Sequence, residues 1–283
     1  MHSNLNDTQI LFSNNIYLQF YKKYGFIVIK SLVPKDTIQN IIDQAHTIYK
    51  TQMLSLKLID TLDIDNDTFE QNMKRLFDGH SHVFFNCAKH CQYIIDLWRL
   101  ALSPDIIHII SVLGVQNPII STRPILFSNS KHISKADIFH TVPPHQDWAT
   151  MQGSINSIVC WLPLINTNQD LGCIAFVPES HKLGLLMEKK EEGFGLVNQF
   201  SDEDFISLDL NQGDTLFFSS FLVHKSGNNI TDNIRWSTHF RYNDLDDKSF
   251  VENGYPHAFI YKAVDEILKP EFDTQKAVTE YFI

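Results

Sequence analysis

His145, Asp147, His224 and Arg235 are the residues of this chain best suited by type and order to carry chemistry. Two imidazoles and one carboxylate can occupy a single face of a divalent iron and leave its remaining positions open for a co-substrate and oxygen. The short spacing within PPHQDW fits an extended chain. Residues i and i+2 then point to the same side, so His145 and Asp147 face one ion while Gln146 points away. The third ligand must come from another strand, and FLVHKSGN supplies His224 far downstream. A His-x-Asp triplet by itself is weak evidence, arising by chance roughly once in a chain of this composition. Its weight depends on the elements that position it.

Those elements belong to an ordinary globular chain. Of 283 residues, 43% are hydrophobic and 20% charged, which argues against disorder. The 21 phenylalanines tilt the class toward a β-rich core. A formal net charge of −10 disfavours nucleic acid and anionic membrane as partners, because both reward a basic surface. The opening MHSNLNDTQILFSNN reads as neither a secretory leader nor a membrane anchor. Cys87, Cys91, Cys160 and Cys173 form no compact framework, so reduced, buried thiols and a cytoplasmic location are expected. Cys87, His90 and Cys91 share a helical face but lack a fourth zinc ligand. Asp63, Asp65 and Asp67 resemble a calcium loop, yet Thr68 stands where the glycine is required and Lys74 where the final glutamate belongs.

The pattern divides the chain into a mostly helical part (1–115), a β-rich core (116–245) and a C-terminal extension (246–283), read together as one domain. Gly25 ends FYKKYG, and FIVIK at 26–30 is a short strand. Pro34 opens a helix whose apolar positions Ile38, Ile41, Ile42, Ala45 and Ile48 follow the 3.6-residue period. One helix is expected over Cys87–Leu102 and another after Pro104. From Pro118 onward come IISTRPILFSN, SINSIVCWLPLI, CIAFVP, DTLFFSSFLV and RWSTHFRY, short β-rich runs divided by turn residues. Such punctuation suggests a sandwich, a barrel or a jelly roll. Residues 184–205 read as an excursion over the core, and a helix is expected near Ala263–Leu268. His145 and Asp147 precede one strand, His224 ends DTLFFSSFLV, and Arg235 begins RWSTHFRY, so distant residues can converge at the mouth of a barrel.

Several segments together resemble the phytanoyl-CoA dioxygenase branch of the Fe(II)- and 2-oxoglutarate-dependent oxygenases. They are YKKYGFIVIKSLVPKDTIQNII, HQDW, VCWLPL, DLGCIAFVPESHK, GDTLFFSSFLVHKSG and IRWSTHFRYND, and they span most of the chain. The resemblance implies a mainly β fold, a double-stranded β-helix (jelly-roll) core with flanking α-helices. It makes His145, Asp147 and His224 the iron ligands. Arg235, eleven residues beyond His224, would pair with the far carboxylate of 2-oxoglutarate, and Ser226 would add a hydroxyl donor. The planar guanidinium suits that task because it offers a carboxylate two parallel hydrogen bonds. Trp161 is expected near the co-substrate, and the strand RPILFSNSK near its inner carboxylate, through Leu126, Phe127 or Asn129. Trp148 is expected as a pocket wall, with Arg123, His140 and Arg241 as further pocket groups, while His181 and His239 read as structural.

The activity so implied takes Fe(II), 2-oxoglutarate and O2 and hydroxylates a C–H bond of a small metabolite, releasing succinate and CO2. Asp147 speaks against halogenation, for which relatives replace the carboxylate. A metal-dependent hydrolase on a related barrel is the alternative enzyme, but it gives Arg235 no role; a non-catalytic metabolite-binding protein is the other. The substrate and the oligomeric state are not legible in the sequence.

Overall fold

Pro34 lacks an N–H and has φ −58°, so it fits just ahead of a helix that needs no donor there. The helix α2 (Lys35–Ser55) follows α1 (Asp7–Tyr24) and the strand β1 (Phe26–Ile29), and it buries Ile38, Ile41, Ile42 and Ala45 as their period requires. The computed structural model describes residues 7–133, 142–186, 196 and 200–256. The expected helix at 263–268 and much of the excursion at 184–205 lie outside them. Gly25 joins α1 to β1 with φ +84°, and a Cβ there would collide with the His181 ring.

Helices α3 (Asn66–Gly79), α4 (Ser81–Cys91), α5 (Ile95–Ala101) and α6 (Pro104–Val112) complete the helical part. Asp65, from the aspartate cluster, caps α3 by accepting the Thr68 N–H at 2.7 Å. The single helix expected over 87–102 is two. The chain turns at Gln92–Tyr93, where the Gln92 carbonyl accepts the Trp98 indole N–H at 3.0 Å instead of continuing the helical ladder. No helix among the described residues is long and apolar enough to cross a membrane.

The remaining elements are β2 (Pro118–Asn129), α7 (Trp148–Met151), β3 (Ile158–Pro163), β4 (Ile174–Phe176), β5 (Ile206–Ser207), β6 (Thr215–Ser219), β7 (His224–Ser226), β8 (Arg235–Asp244) and α8 (Lys248–Glu252). They form a five-stranded sheet in the order β1-β6-β3-β8-β2 and a three-stranded sheet in the order β5-β4-β7, with antiparallel pairing throughout. This is the jelly-roll core with flanking helices that the sequence led us to expect. Period-two alternation divides the large sheet cleanly. Ile158, Cys160, Leu162, Phe217, Trp236, Phe240 and Tyr242 pack against the helices. Val159, Trp161, Leu216 and Phe218 face the interior with Phe26, Ile174 and Phe176.

One corner departs from expectation. DTLFFSSFLV is not a single strand ending in His224: β6 stops at Ser219, the chain turns with Leu222 N–H donating to the Ser219 carbonyl at 2.8 Å, and His224 starts β7 in the other sheet. Two side-chain fixtures hold the neighbouring turns. The buried Asp214 carboxylate accepts from Lys30 Nζ at 2.8 Å and from the backbone N–H groups of Ser31 and Asn211, and Ser180 Oγ accepts from Val223 N–H at 2.8 Å.

Candidate metal centre and its cavity

His145 and His224 are joined backbone to backbone. Each N–H donates to the other's carbonyl, at 3.0 and 3.1 Å, forming a one-residue antiparallel bridge that sets the rings 4.1 Å apart. Nδ1 of His145 lies 2.8 Å from the Pro143 carbonyl, and Nδ1 of His224 lies 2.9 Å from the Leu222 carbonyl. A carbonyl only accepts, so both Nδ1 atoms are the protonated donors and each Nε2 carries the lone pair that a metal would take. Burial, and then the neighbouring His145, push the His224 imidazole down to about 3, which keeps it neutral and able to bind.

Asp147 completes the group, though not by strand alternation. Its backbone is helical (φ −63°, ψ −30°) at the start of α7, and this turn swings the carboxylate toward the two rings. Oδ1 stands 3.4 Å from His145 Nε2 and 4.0 Å from His224 Nε2, and one donor atom from each of the three residues lies within 4.8 Å of the others. Burial alone would raise the Asp147 carboxyl. The Arg241 guanidinium and the two imidazoles outweigh it and hold the group well below the usual carboxylate range. Two imidazoles and one ionised carboxylate on a common centre can hold a divalent transition metal. Gln146 does point away, and its amide is fully used: Nε2 donates to the Gly184 and Phe221 carbonyls, and Oε1 accepts from Leu186 N–H.

The three residues open into a cavity of about 260 Å³. Its wall holds Arg235, Ser226 and Trp161, as the sequence suggested, together with apolar side chains from both sheets. Arg235 is 3% exposed, and among the described residues its Nε and Nη1 have no hydrogen-bond partner. Burial lowers this guanidinium to about 10, so it stays charged at neutral pH. A buried cation without a partner is costly unless something anionic completes it. The donor set therefore fits a dianionic co-substrate with one end on the metal and the other on Arg235.

Other sequence expectations need correction. Trp148 does not form the cavity wall: its indole stacks on Phe221 and its Nε1–H reaches the Gly153 and Ser154 carbonyls, because α7 turns it outward. Arg123 is exposed and bonds the Gln92 side chain on the helical side, carried there by register shifts in β2 between Ile120 and Ile125. His140 lies outside the described residues. Leu126 packs into the helical core, whereas Phe127 and Ile125 face the cavity. His181 ties the 3-10 turn at Ser180–Leu183 to the Lys22 carbonyl.

His239, read from the sequence as structural, lines the cavity, and its Nε2 is sealed from solvent without a partner among the described residues. Burial, and then the adjacent Arg241, hold its imidazole well below the ordinary value. Ser237 and Arg241 line the same cavity. The missed signal was the alternation Arg235-x-Ser237-x-His239-x-Arg241, polar on one face of β8 while Trp236, Phe240 and Tyr242 occupy the other.

A family model described as phytanoyl-CoA dioxygenase (PhyH) matches residues 21–237. The peroxisomal phytanoyl-CoA dioxygenase of Rattus norvegicus is 25% identical over 273 residues, covering 92% of this chain and 77% of that protein. Among solved structures, the non-heme monooxygenase ThoJ in its apo form superposes with a TM-score of 0.57 at 15% identity, covering 81% of this chain and 77% of ThoJ. The epimerase SnoN, in complex with Fe3+, alpha ketoglutarate and nogalamycin RO, gives a TM-score of 0.55 at 16% identity, covering 83% of this chain and 84% of SnoN. At these identities the two structures speak to the fold alone.

Proposed function

Because the chain belongs to the phytanoyl-CoA dioxygenase family, we propose that His145, Asp147 and His224 hold the ferrous iron of a 2-oxoglutarate-dependent oxygenase and that Arg235 receives the far carboxylate of 2-oxoglutarate. The observation that carries this reading is the buried guanidinium of Arg235, two of whose nitrogens have no partner among the described residues, in the cavity that the three residues open into. A metal-dependent hydrolase would leave that cation without a counterion.

Iron with 2-oxoglutarate supplies the oxidising power, consuming O2 and releasing succinate and CO2. The protein's part is to bind, orient and exclude water. The Pro143 and Leu222 carbonyls keep each imidazole turned with Nε2 inward. Arg235 pairs with the distal carboxylate in a two-bond, charge-assisted contact, with the hydroxyls of Ser226 and Ser237 in the same wall. Ile125, Phe127, Val159, Ile174 and Phe218 line the cavity with apolar surface, which keeps bulk water from the reacting groups. The outcome we assign is hydroxylation of a C–H bond in a small molecule, by a chain that acts as one oxygenase domain.

The test is succinate release by purified protein supplied with Fe(II), ascorbate and 2-oxoglutarate. His145→Ala and His224→Ala should abolish it, and undiminished turnover in either would remove the ligand assignment. Arg235→Ala should chiefly raise the 2-oxoglutarate concentration needed, since it deletes a binding contact and leaves the metal ligands in place. Mass analysis of substrate candidates for a gain of one oxygen separates hydroxylation from epimerisation or ring closure.

A further inference from the structure

Asp147 has two oxygens, and the same one is the nearer to both imidazoles. Oδ1 is the atom 3.4 Å from His145 Nε2 and 4.0 Å from His224 Nε2. Oδ2 accepts a hydrogen bond from Arg241 Nε at 2.8 Å, while Arg241 Nη2 donates to Oδ1 at 2.9 Å. Two parallel bonds between planar groups fix the plane of the carboxylate as well as its place. The contact is shielded, with side-chain exposures of 13% for Arg241 and 4% for Asp147. The helix that follows does not do the same work: Asp147 precedes α7, a helix of 4 residues, and its side chain makes no capping hydrogen bond.

Arg241 is itself held firmly. It sits in the middle of the large sheet, paired with Thr122 on β2 and Val159 on β3. The guanidinium therefore reaches Asp147 from a rigid element, whereas Asp147 stands on a turn.

Resting on the metal centre proposed above, we propose that Arg241 is a positioning residue that keeps Asp147 a one-oxygen ligand. A carboxylate free to rotate can chelate a divalent metal through both oxygens. Chelation uses the inward-facing lone pair of each oxygen, the two pairs that the Arg241 fork occupies. It would therefore require the fork to leave and would take up a second coordination position, whereas Oδ1 can bind singly through its other lone pair. With Oδ2 retained by Arg241, three protein atoms bind on one face and the other positions stay available to 2-oxoglutarate and O2. Arg241 thus acts on co-substrate binding through the geometry of the ligand, without touching the co-substrate.

The experiment compares wild type with Arg241→Met, Arg241→Gln and Arg241→Lys. Cobalt(II) serves as an oxygen-stable probe whose visible absorption reports coordination number and geometry. At matched cobalt saturation, Arg241→Met should show an altered absorption envelope. Its affinity for 2-oxoglutarate should fall by about 10-fold or more, the usual scale for losing a partner of a metal ligand. Arg241→Gln retains an N–H donor and should restore part of both signals. Arg241→Lys keeps the charge without the planar fork, and should recover less of the spectrum than of the binding.

Wild-type cobalt spectra together with wild-type 2-oxoglutarate affinity in Arg241→Met would overturn the proposal and leave Arg241 a structural ion pair. If Arg241→Met fails to fold, the glutamine and lysine variants decide by the same two measurements, and wild-type values in both would overturn it. Failure of the wild-type protein itself to bind cobalt and 2-oxoglutarate would instead refute the metal-centre reading, and this proposal with it.

Discussion

Arg235 and Arg241 stand on the same face of the same strand, six residues apart, and the protein treats their charges in opposite ways. Arg241 is saturated by Asp147 through a two-bond ion pair. Arg235 is more deeply buried and leaves two nitrogens unanswered among the described residues. His46, in the helical part, also has a buried nitrogen without a partner, but burial, and then Lys50, push it down to about 4 and it stays neutral. A guanidinium has no such recourse near neutral pH. An unpartnered buried imidazole is therefore compatible with plain packing, whereas a buried arginine in that position is suited to binding an anion. The paired arginine holds Asp147, and the other is the residue proposed to receive an anionic co-substrate.

Stability of the metal-free protein should separate the two arginines by sign. Arg241→Met strands the Asp147 carboxylate in a buried site and should destabilise by about 3–5 kcal/mol in urea unfolding. Arg235→Met removes an unanswered charge and should be neutral or stabilising, by up to about 1–3 kcal/mol, while abolishing the rise in melting temperature that 2-oxoglutarate gives the metal-loaded wild type. Similar losses in both variants would erase the distinction drawn between them.

The contrast with His46 is tested by acid. Its folded value, about 4, lies below the unfolded 6.5, so the unfolded chain takes up the proton first. Stability is unaffected above pH 6.5, falls as pH drops from 6.5 to about 4, and loses on the order of 3 kcal/mol in total. His46→Phe, which can keep the stacking on Phe69, should remove that part of the acid sensitivity and leave the part due to His224. An unchanged pH profile in His46→Phe would show that His46 is not held neutral by its surroundings. The smallest effect is assigned to Ser226→Ala: loss of one hydroxyl contact should weaken 2-oxoglutarate binding by about 1 kcal/mol, a several-fold change in its dissociation constant. A loss as large as that from Arg235→Ala would mean that the anion is held by the serine rather than by the arginine.

The sequence was most informative where structure follows a short period. The apolar stripe of α2 and the alternation in β3, β6 and β8 are local patterns, and each places its residues on the correct layer. Order and residue type also brought His145, Asp147, His224, Ser226, Trp161 and Arg235 to one cavity. Turns and irregularities broke the reading. The helical turn at Asp147 sends Trp148 away from the cavity, two register shifts in β2 carry Arg123 to the helical side, and a turn at Gln92 divides one expected helix. None of these follows a repeating period: at Gln92, for example, the carbonyl is taken by the indole of Trp98, six residues on. His239 was legible but missed, because the alternation starting at Arg235 was not carried four residues further.

Gln146 sits between His145 and Asp147 with its amide engaged by Gly184, Leu186 and Phe221. The side chain ties the 184–186 backbone to the segment that carries His145 and Asp147, so displacement of that backbone is transmitted to both residues. The 184–186 segment is consequently not an interchangeable module. Grafting a foreign segment there, in search of new substrates, would disturb the proposed metal centre unless the graft reproduces one carbonyl and one N–H facing that amide.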